Sequence, residues 1–160
     1  MSDLPAAARR VMAAAARQGL LLDVRVFPEG TRTAADAAAA IGCEVSAIVK
    51  SLVFVAGDGP VVALVPGDRR LDPARLAAAA GTAGARRATL DEVRSATGFA
   101  AGGTPPFGHD TPVPVYADRA LRRHAEVWAA AGTPTTVFPI SPDRLAEAAG
   151  AVWADLSAAE

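Results

Sequence analysis

The residue with the clearest chemical potential is Lys50, which lies inside the apolar stretch AIVKSLVFV at positions 47–55. The chain has 16 Lys and Arg residues, and Lys50 is the only lysine among them. An ammonium group is costly to bury unless it is paired or opens onto a cleft. Unlike a guanidinium, it is a compact charge on a flexible stem that can also lose its proton. We interpret Lys50 as a cleft residue that binds an anion or takes part in chemistry; the alternative is a lysine that reaches water from the strand start.

A second candidate site is the loop AGGTPPFGHD at positions 101–110. Gly102 and Gly103 free the backbone to point adjacent N–H groups at one spot, as an anion nest or an oxyanion hole does. The loop then carries two prolines, a third glycine and a histidine, namely Pro105, Pro106, Gly108 and His109. A plain proline-rich turn is the alternative, but this density of special residues favours a functional loop.

Three further positions carry weaker signals. Gly132 and Thr133 lie in AAAGTPTT, a pattern that is by itself typical of a β-turn. We interpret Cys43 as a small buried hydrophobe rather than a nucleophile, and His124 as a surface residue. His109 is either a wall of a pocket or a residue that stabilises its loop by a hydrogen bond.

Composition limits the classes of function. A chain of 160 residues fits one domain spanning positions 1–160, and 51% hydrophobic residues suffice for a core. A net charge of −1 gives no overall attraction to nucleic acid, so any RNA contact must be local. One cysteine excludes an internal disulfide and a cysteine-rich metal site. Without a signal-like or membrane-spanning run, we expect a soluble cytoplasmic protein.

The elements around these residues follow from local patterns. Apolar spacing and capping residues predict helices at 4–19, 33–42, 72–81, 89–98 and 141–150. Alternating or continuous apolar runs predict strands at 22–27, 47–55, 61–67, 113–117, 125–132 and 135–140. The second and third of these strands form a hairpin across AGDGP. Because helices and strands alternate irregularly, we expect a mixed sheet with surrounding helices in an α/β or α+β fold.

The strand of Lys50 has two largely apolar faces. Alternate residues share a face, so one side carries Ile48, Lys50, Leu52 and Phe54. The other side carries Val49, Ser51, Val53 and Val55. This pattern is typical of a central strand that is covered on both sides.

At these places the sequence resembles the YbaK/prolyl-tRNA-editing family of freestanding aminoacyl-tRNA deacylases. The matching segments are TAADAAAAIG leading into IVKSLVF, then GGTPPFGH, and finally AGTP before the last helix. The resemblance extends over about residues 24–156. It implies an α/β domain built on a mixed sheet and hydrolysis of a mischarged aminoacyl ester on tRNA, with no metal ion and no cofactor.

The resemblance also implies roles for individual residues. Lys50 matches the functionally important lysine of the family, while Gly102 and Gly103 match the glycines near the substrate carbonyl. The substrate-binding positions that it implies are Thr104, Pro105, Pro106, Gly108, His109, Gly132 and Thr133. Relatives act on cysteinyl, alanyl, seryl or threonyl esters, and the sequence does not select one. The implied partners are a mischarged aminoacyl-tRNA and, as a second possibility, an aminoacyl-tRNA synthetase.

Two other functions compete with the deacylase. A binding module would hold the aminoacyl-tRNA end in the same pocket without turnover. A Schiff-base enzyme would need a neutral Lys50, and borohydride trapping with a keto acid would reveal its adduct. Paired arginines that flank the pocket mouth would help to hold tRNA, although ordinary solvated charge is the favoured explanation for any single pair. These pairs are Arg69 and Arg70, Arg86 and Arg87, and Arg122 and Arg123.

Overall fold

The computed structural model describes residues 4–28 and 33–159, and within these ranges it contains five α-helices and ten β-strands. The helices are α1 (Ala6–Ala16), α2 (Ala34–Ile41), α3 (Pro73–Ala80), α4 (Leu90–Thr97) and α5 (Pro142–Ala149). The strands are β1 (Arg25–Val26), β2 (Val49–Ala56), β3 (Gly59–Pro66), β4 (Arg69–Leu71), β5 (Ala85–Arg87), β6 (Val115–Asp118), β7 (Val127–Ala130), β8 (Thr136–Ile140), β9 (Val152–Ala154) and β10 (Ser157–Ala159). No helix in the described part of the chain is long and apolar enough to cross a membrane.

Helices α2 to α5 begin and end at the predicted signals. At the start of α2 the Thr33 hydroxyl accepts a hydrogen bond of 3.0 Å from the Asp36 amide, and Gly42 ends the helix in the left-handed region. Thr89 and Glu92 form a capping box before α4. The two remaining N-caps are Asp72 before α3 and Ser141 before α5. Each cap satisfies an amide that has no partner within its helix, so these boundaries are set locally.

Helix α1 is shorter than the predicted span of 4–19. The amides of Gln18 and Gly19 donate to carbonyls three residues earlier, at 2.9 and 3.0 Å. Bonds of this spacing tighten the chain out of the α-helical form. The helix therefore ends at Ala16, and the alanine-rich pattern continues into a turn.

The central sheet has five strands in the order β5-β2-β3-β6-β9. Strands β2 and β3 form the predicted hairpin, and β5 also pairs antiparallel with β2. Strand β6 pairs parallel with β3, and β9 pairs parallel with β6. The predicted mixed sheet in an α+β fold is confirmed.

Several short strands differ from the prediction. The run predicted at 22–27 pairs only at Arg25 and Val26, which lie against β8 in a separate three-stranded sheet. Strands β4, β5, β9 and β10 were not predicted. Each has three residues, and β4 and β10 pair with each other across most of the chain. Such strands are stabilised by distant pairing rather than by a local pattern.

The two faces of β2 bury into different clusters of the core. Val49 and Val53 pack with residues of α1, α4 and α5. Phe54 packs with Leu76 of α3 on the opposite side of the sheet. The prediction that both faces of this strand are covered is therefore confirmed.

One edge of β2 is open over a short stretch. Strand β3 pairs with the whole length of β2, whereas β5 pairs with its far end at Phe54–Ala56. At the near end, Ile48 forms a parallel bridge to Trp128 of β7. Among the described residues, no strand pairs with the outer edge of β2 from Lys50 to Leu52. This gap in the strand pairing positions the candidate site.

Candidate active site

A cavity of about 260 Å³ lies at the open edge of β2. Its floor is the stretch from Ile48 to Leu52, and its walls come from the first turns of α2, the loop at 101–104, β7 and the turn at 133–134. Four of the predicted site residues line it, namely Lys50, Gly102, Thr104 and Thr133. The fold therefore brings three segments that are distant in sequence to one small cavity.

Lys50 lies where this cavity meets a second depression. The second depression has a volume of about 560 Å³, and the charged residues that line it are Lys50, Arg70, Arg86 and Arg87. We call it the basic groove. The Lys50 side chain is half-buried, and its ammonium donates a hydrogen bond of 2.5 Å to the carbonyl oxygen of Arg69. A cation thus lines both the cavity and the groove.

A hydrogen-bond network fixes the carbonyl that Lys50 contacts. The Arg69 guanidinium donates to the hydroxyl and the carbonyl of Ser157, at 2.7 and 2.9 Å. The Ser157 hydroxyl in turn donates to the buried carboxylate of Asp118 at the end of β6. Buried groups that are fully hydrogen-bonded are rigid. The network therefore gives the Lys50 ammonium a fixed acceptor from β4, β6 and β10.

The two adjacent glycines of the loop have different surroundings. Gly102 is exposed and lines the cavity. Gly103 is buried, and a Cβ atom built on it would lie 2.6 Å from the carbonyl carbon of Thr133. The amide of Gly103 donates to the carbonyl of Ala100 at 3.1 Å. Gly103 therefore lets the loop approach the turn at Thr133 closely, while Gly102 presents backbone to the cavity.

Four of the predicted substrate-binding residues hold the loop and do not line the cavity. Pro105 and Pro106 are buried. His109 donates from Nε2 to the carbonyl of Pro105 at 2.8 Å. Gly108 lies against α1, where an added Cβ would come within 3.0 Å of the Ala14 methyl group. These residues fasten the loop to itself and to α1, which fixes the positions of Gly102 and Thr104.

Of the two predicted residues Gly132 and Thr133, one lines the cavity and the other does not. Thr133 lines the cavity, and its hydroxyl shares a hydrogen bond of 2.7 Å with that of Thr136. Gly132 has a φ of 98° and lies against α1, where a Cβ would stand 2.9 Å from the Ala7 carbonyl oxygen. Any side chain there would be strained and would clash with backbone. Gly132 is thus a packing position behind the cavity wall.

Ser51 lines the cavity and is a candidate site residue that the sequence reasoning missed. Its hydroxyl is buried at the cavity, where it has no hydrogen-bond partner among the residues that the structure describes. Buried polar groups are nearly always hydrogen-bonded, so an orphan is a signal of function. The sequence signal that could have identified Ser51 is its position next to Lys50, the lone lysine, in an apolar strand.

Cys43 and His124 lie outside the cavity. Burial raises the pKa of the half-buried Cys43 thiol, which keeps it in the protonated, poorly nucleophilic form. His124 is half-buried, and its Nε2 shares a hydrogen bond of 2.9 Å with the Ser46 hydroxyl.

The surroundings of His109 predict a dependence of stability on pH. Burial lowers the pKa of His109 below its ordinary value of 6.5. Below that value the unfolded chain therefore binds more protons than the folded protein, so the free energy of unfolding falls as pH falls. We expect the midpoint of urea unfolding to decrease from pH 7 to pH 5, and to decrease less in His109→Gln. An equal decrease in both proteins would show that His109 is not responsible.

Comparison with known proteins shows which family this chain resembles in sequence and fold. The family model described as "Aminoacyl-tRNA editing domain" matches residues 28–148. An Enterococcus faecalis protein, "Putative Cys-tRNA(Pro)/Cys-tRNA(Cys) deacylase EbsC", is 28% identical over 135 residues, which are 84% of this chain and 82% of that protein. The proline–tRNA ligase of Thermosipho africanus is 36% identical over 98 residues, which are 61% of this chain and 17% of the ligase.

A solved structure extends the agreement to the whole described fold. It is described as a "putative trans-editing enzyme for prolyl tRNA synthetase" and is 47% identical to this chain. The two superpose with a TM-score of 0.92 over 98% of this chain and 99% of the other. The family model also matches most of the residues of this chain. The resemblance seen in the sequence is thereby confirmed, and the chain belongs to the aminoacyl-tRNA editing domain family.

Proposed function

We propose that this protein hydrolyses the ester bond of a mischarged tRNA that carries a small amino acid. The observation that carries the proposal is the convergence of Lys50, Gly102, Thr104 and Thr133 on one cavity of about 260 Å³. The names of the Enterococcus relative and of the similar solved structure support the same activity.

The geometry suggests how the reaction is promoted. In the proposed complex the ester lies at the mouth of the cavity, where the Lys50 ammonium binds the phosphate beside the terminal ribose. The backbone at Gly102 faces the ester carbonyl and stabilises negative charge on its oxygen as water attacks. Because the Gly103 amide already donates a hydrogen bond to the Ala100 carbonyl, we assign this electrostatic role to the backbone of Gly102. Lys50 and Gly102 are therefore the two residues on which the proposed chemistry depends.

The water that attacks the ester needs to be oriented but not strongly activated. An aminoacyl ester is already reactive, so positioning contributes much of the rate. Ser51 lines this space, and its buried hydroxyl, which has no partner among the described residues, is the candidate for holding that water. In the proposed step a bond forms between the water oxygen and the carbonyl carbon. The bond to the ribose oxygen then breaks, and that oxygen takes up the proton that the attacking water loses.

The walls of the cavity set the size of the amino acid. Ile48, Trp128 and Val137 line it with bulky apolar side chains that are themselves buried. The Arg25 guanidinium lies 4.9 Å from the Trp128 ring centre and helps to hold that wall. We propose that cysteinyl, alanyl, seryl or threonyl groups enter and that bulky ones are excluded by contact, as in a steric sieve.

The proposed partner is an aminoacyl-tRNA, reached in trans and in the cytoplasm. The match to a segment of a proline–tRNA ligase makes a prolyl-tRNA synthetase the preferred candidate for an associated enzyme. In that arrangement the synthetase releases mischarged tRNA and this protein clears it.

A panel of charged tRNAs tests the proposal. tRNAs carrying Ala, Ser, Thr, Cys or Pro are incubated at low salt with and without the protein, and release of the amino acid is followed. We expect accelerated hydrolysis of one or two small-residue esters. Hydrolysis of none of them by folded protein would contradict the proposal and favour a binding module.

A further inference from the structure

We propose that the basic groove binds the sugar-phosphate backbone of the 3′-terminal nucleotides of tRNA, mainly through Arg70 and Arg87. The inference rests on the proposed function, because it assigns the path of the substrate beyond its terminal ribose. The groove and the cavity share Lys50 and Leu52 as lining residues, so the two adjoin each other at β2. A chain whose aminoacyl end lies in the cavity would therefore leave it past Lys50 and into the groove.

The groove combines positive charge with apolar surface, which suits the binding of single-stranded nucleic acid. Among the described residues, the charged ones that line it are all cations, and Leu52, Phe54 and Leu71 supply an apolar floor. Proteins that bind single strands combine a positive groove for phosphates with apolar surface for bases. Since the net charge of the chain is −1, attraction to a polyanion has to come from a local surface of this kind.

The structure divides the arginine pairs by what each side chain already contacts. Arg69 is bound to Ser157, so it supports the network under Lys50. Arg86 donates to both carboxylate oxygens of Glu92, each at 2.8 Å. This contact and the Thr89 amide lower the pKa of Glu92 to about 2, so Glu92 stays charged and neutralises Arg86.

Arg70 and Arg87 differ from their neighbours. Both side chains are exposed, and neither forms a hydrogen bond or ion pair with another residue in the ranges 4–28 and 33–159. Arg70 belongs to β4 and Arg87 to β5, on two different strands that border the groove. The groove therefore has two guanidiniums that are available to bind phosphate groups.

The third pair does not contribute. Arg122 lies 5.1 Å from the Trp153 ring centre and contacts Asp143 at 3.4 Å. Neither Arg122 nor Arg123 lines the cavity or the groove. The pairs are therefore not equivalent, and one arginine from each of the first two pairs is available to phosphate.

The test compares the double variant Arg70→Gln/Arg87→Gln with a control that removes the same charge elsewhere. The control is Arg123→Gln/Arg144→Gln, since both residues are exposed and lie outside the cavity and the groove. Binding of uncharged tRNA is measured by fluorescence anisotropy at several salt concentrations. We expect the groove variant to bind about tenfold more weakly at low salt, and its slope of log K against log salt to fall by about 1.4, or about 0.7 for each lost phosphate contact. The control is expected to match the wild type.

A second readout separates this inference from the proposed function. The variants are assayed on aminoacyl-tRNA and on aminoacyl-adenosine, which has no phosphate. We expect the groove variant to lose kcat/KM on the tRNA substrate and to keep it on aminoacyl-adenosine. If the wild type hydrolyses neither substrate, the proposed function fails. The anisotropy measurements would then still test whether the groove binds tRNA. If the groove variant binds tRNA with the affinity and salt slope of the control, the inference is overturned while the deacylase stands.

Discussion

Replacing Lys50 with alanine is expected to abolish deacylation while the protein remains folded. In our account the ammonium holds charge at the junction of the cavity and the basic groove, and no other cation lines the cavity among the described residues. Losing a preorganised charge contact of this kind costs about 10²–10³-fold in rate. Stability should be little affected, because removing a half-buried ammonium also removes its desolvation cost. Single-turnover release of the amino acid and the thermal midpoint are the two measurements.

Lys50→Arg sharpens this prediction. The guanidinium keeps the charge, but it is planar and larger than the ammonium that donates to the Arg69 carbonyl at 2.5 Å. We therefore expect Lys50→Arg to be impaired as well, which would answer why this position carries the single lysine. Arg123→Ala removes an exposed cation outside the cavity and serves as the control with unchanged rate. Full activity of Lys50→Ala would assign the lysine a purely structural role.

Substitutions at the two loop glycines are expected to fail for different reasons. A Cβ at Gly102 would meet only the Pro134 ring, at 3.5 Å, so Gly102→Val folds normally and fills the mouth of the cavity. A Cβ at Gly103 would stand 2.6 Å from Thr133 backbone atoms, so Gly103→Ala forces the loop away from the turn. We expect at least about tenfold lower activity with an unchanged thermal midpoint for Gly102→Val. For Gly103→Ala we expect a loss of about 1–3 kcal/mol of stability, as for other overpacked sites.

The two measurements distinguish these roles. Activity and urea unfolding of both variants are compared with Gly84→Ala, whose added Cβ has no neighbour within 4 Å. Near-normal deacylation by Gly102→Val would contradict the proposal that the Gly102 backbone stabilises charge on the ester carbonyl oxygen. An unchanged unfolding midpoint for Gly103→Ala would show that the close approach to Thr133 is not required.

Local chemistry explains which parts of the fold were predictable. The caps at Thr33 and Thr89 bond amides three residues away, so the sequence around them contains the whole interaction. The hairpin of β2 and β3 is likewise joined by a short turn. Strands β4 and β10 pair over a separation of most of the chain, and nothing in their three-residue stretches indicates the partner.

Site residues were predictable where the local composition is unusual. They were not predictable where the residue lines the cavity only because one edge of β2 is unpaired. A single lysine in an apolar strand and a dense glycine-proline loop mark Lys50 and Gly102. Alternation placed Lys50 and Ser51 on opposite faces of β2, yet both line the cavity. They do so because the cavity lies at the open edge of the strand, where neighbouring residues of both faces meet. The hydrogen-bond network of Asp118, Ser157 and Arg69 joins strands that are distant in sequence, so no local sequence pattern predicts it.

Hydrolysis that depends on Lys50 is tested most directly by following both products of one turnover. tRNA charged with the amino acid that is released fastest in the panel is mixed with excess protein, and free amino acid and uncharged tRNA are quantified over time. We expect both to appear together with wild-type protein, at a rate at least about 100-fold above that with Lys50→Ala. Stable binding of the charged tRNA with release no faster than in buffer would contradict it.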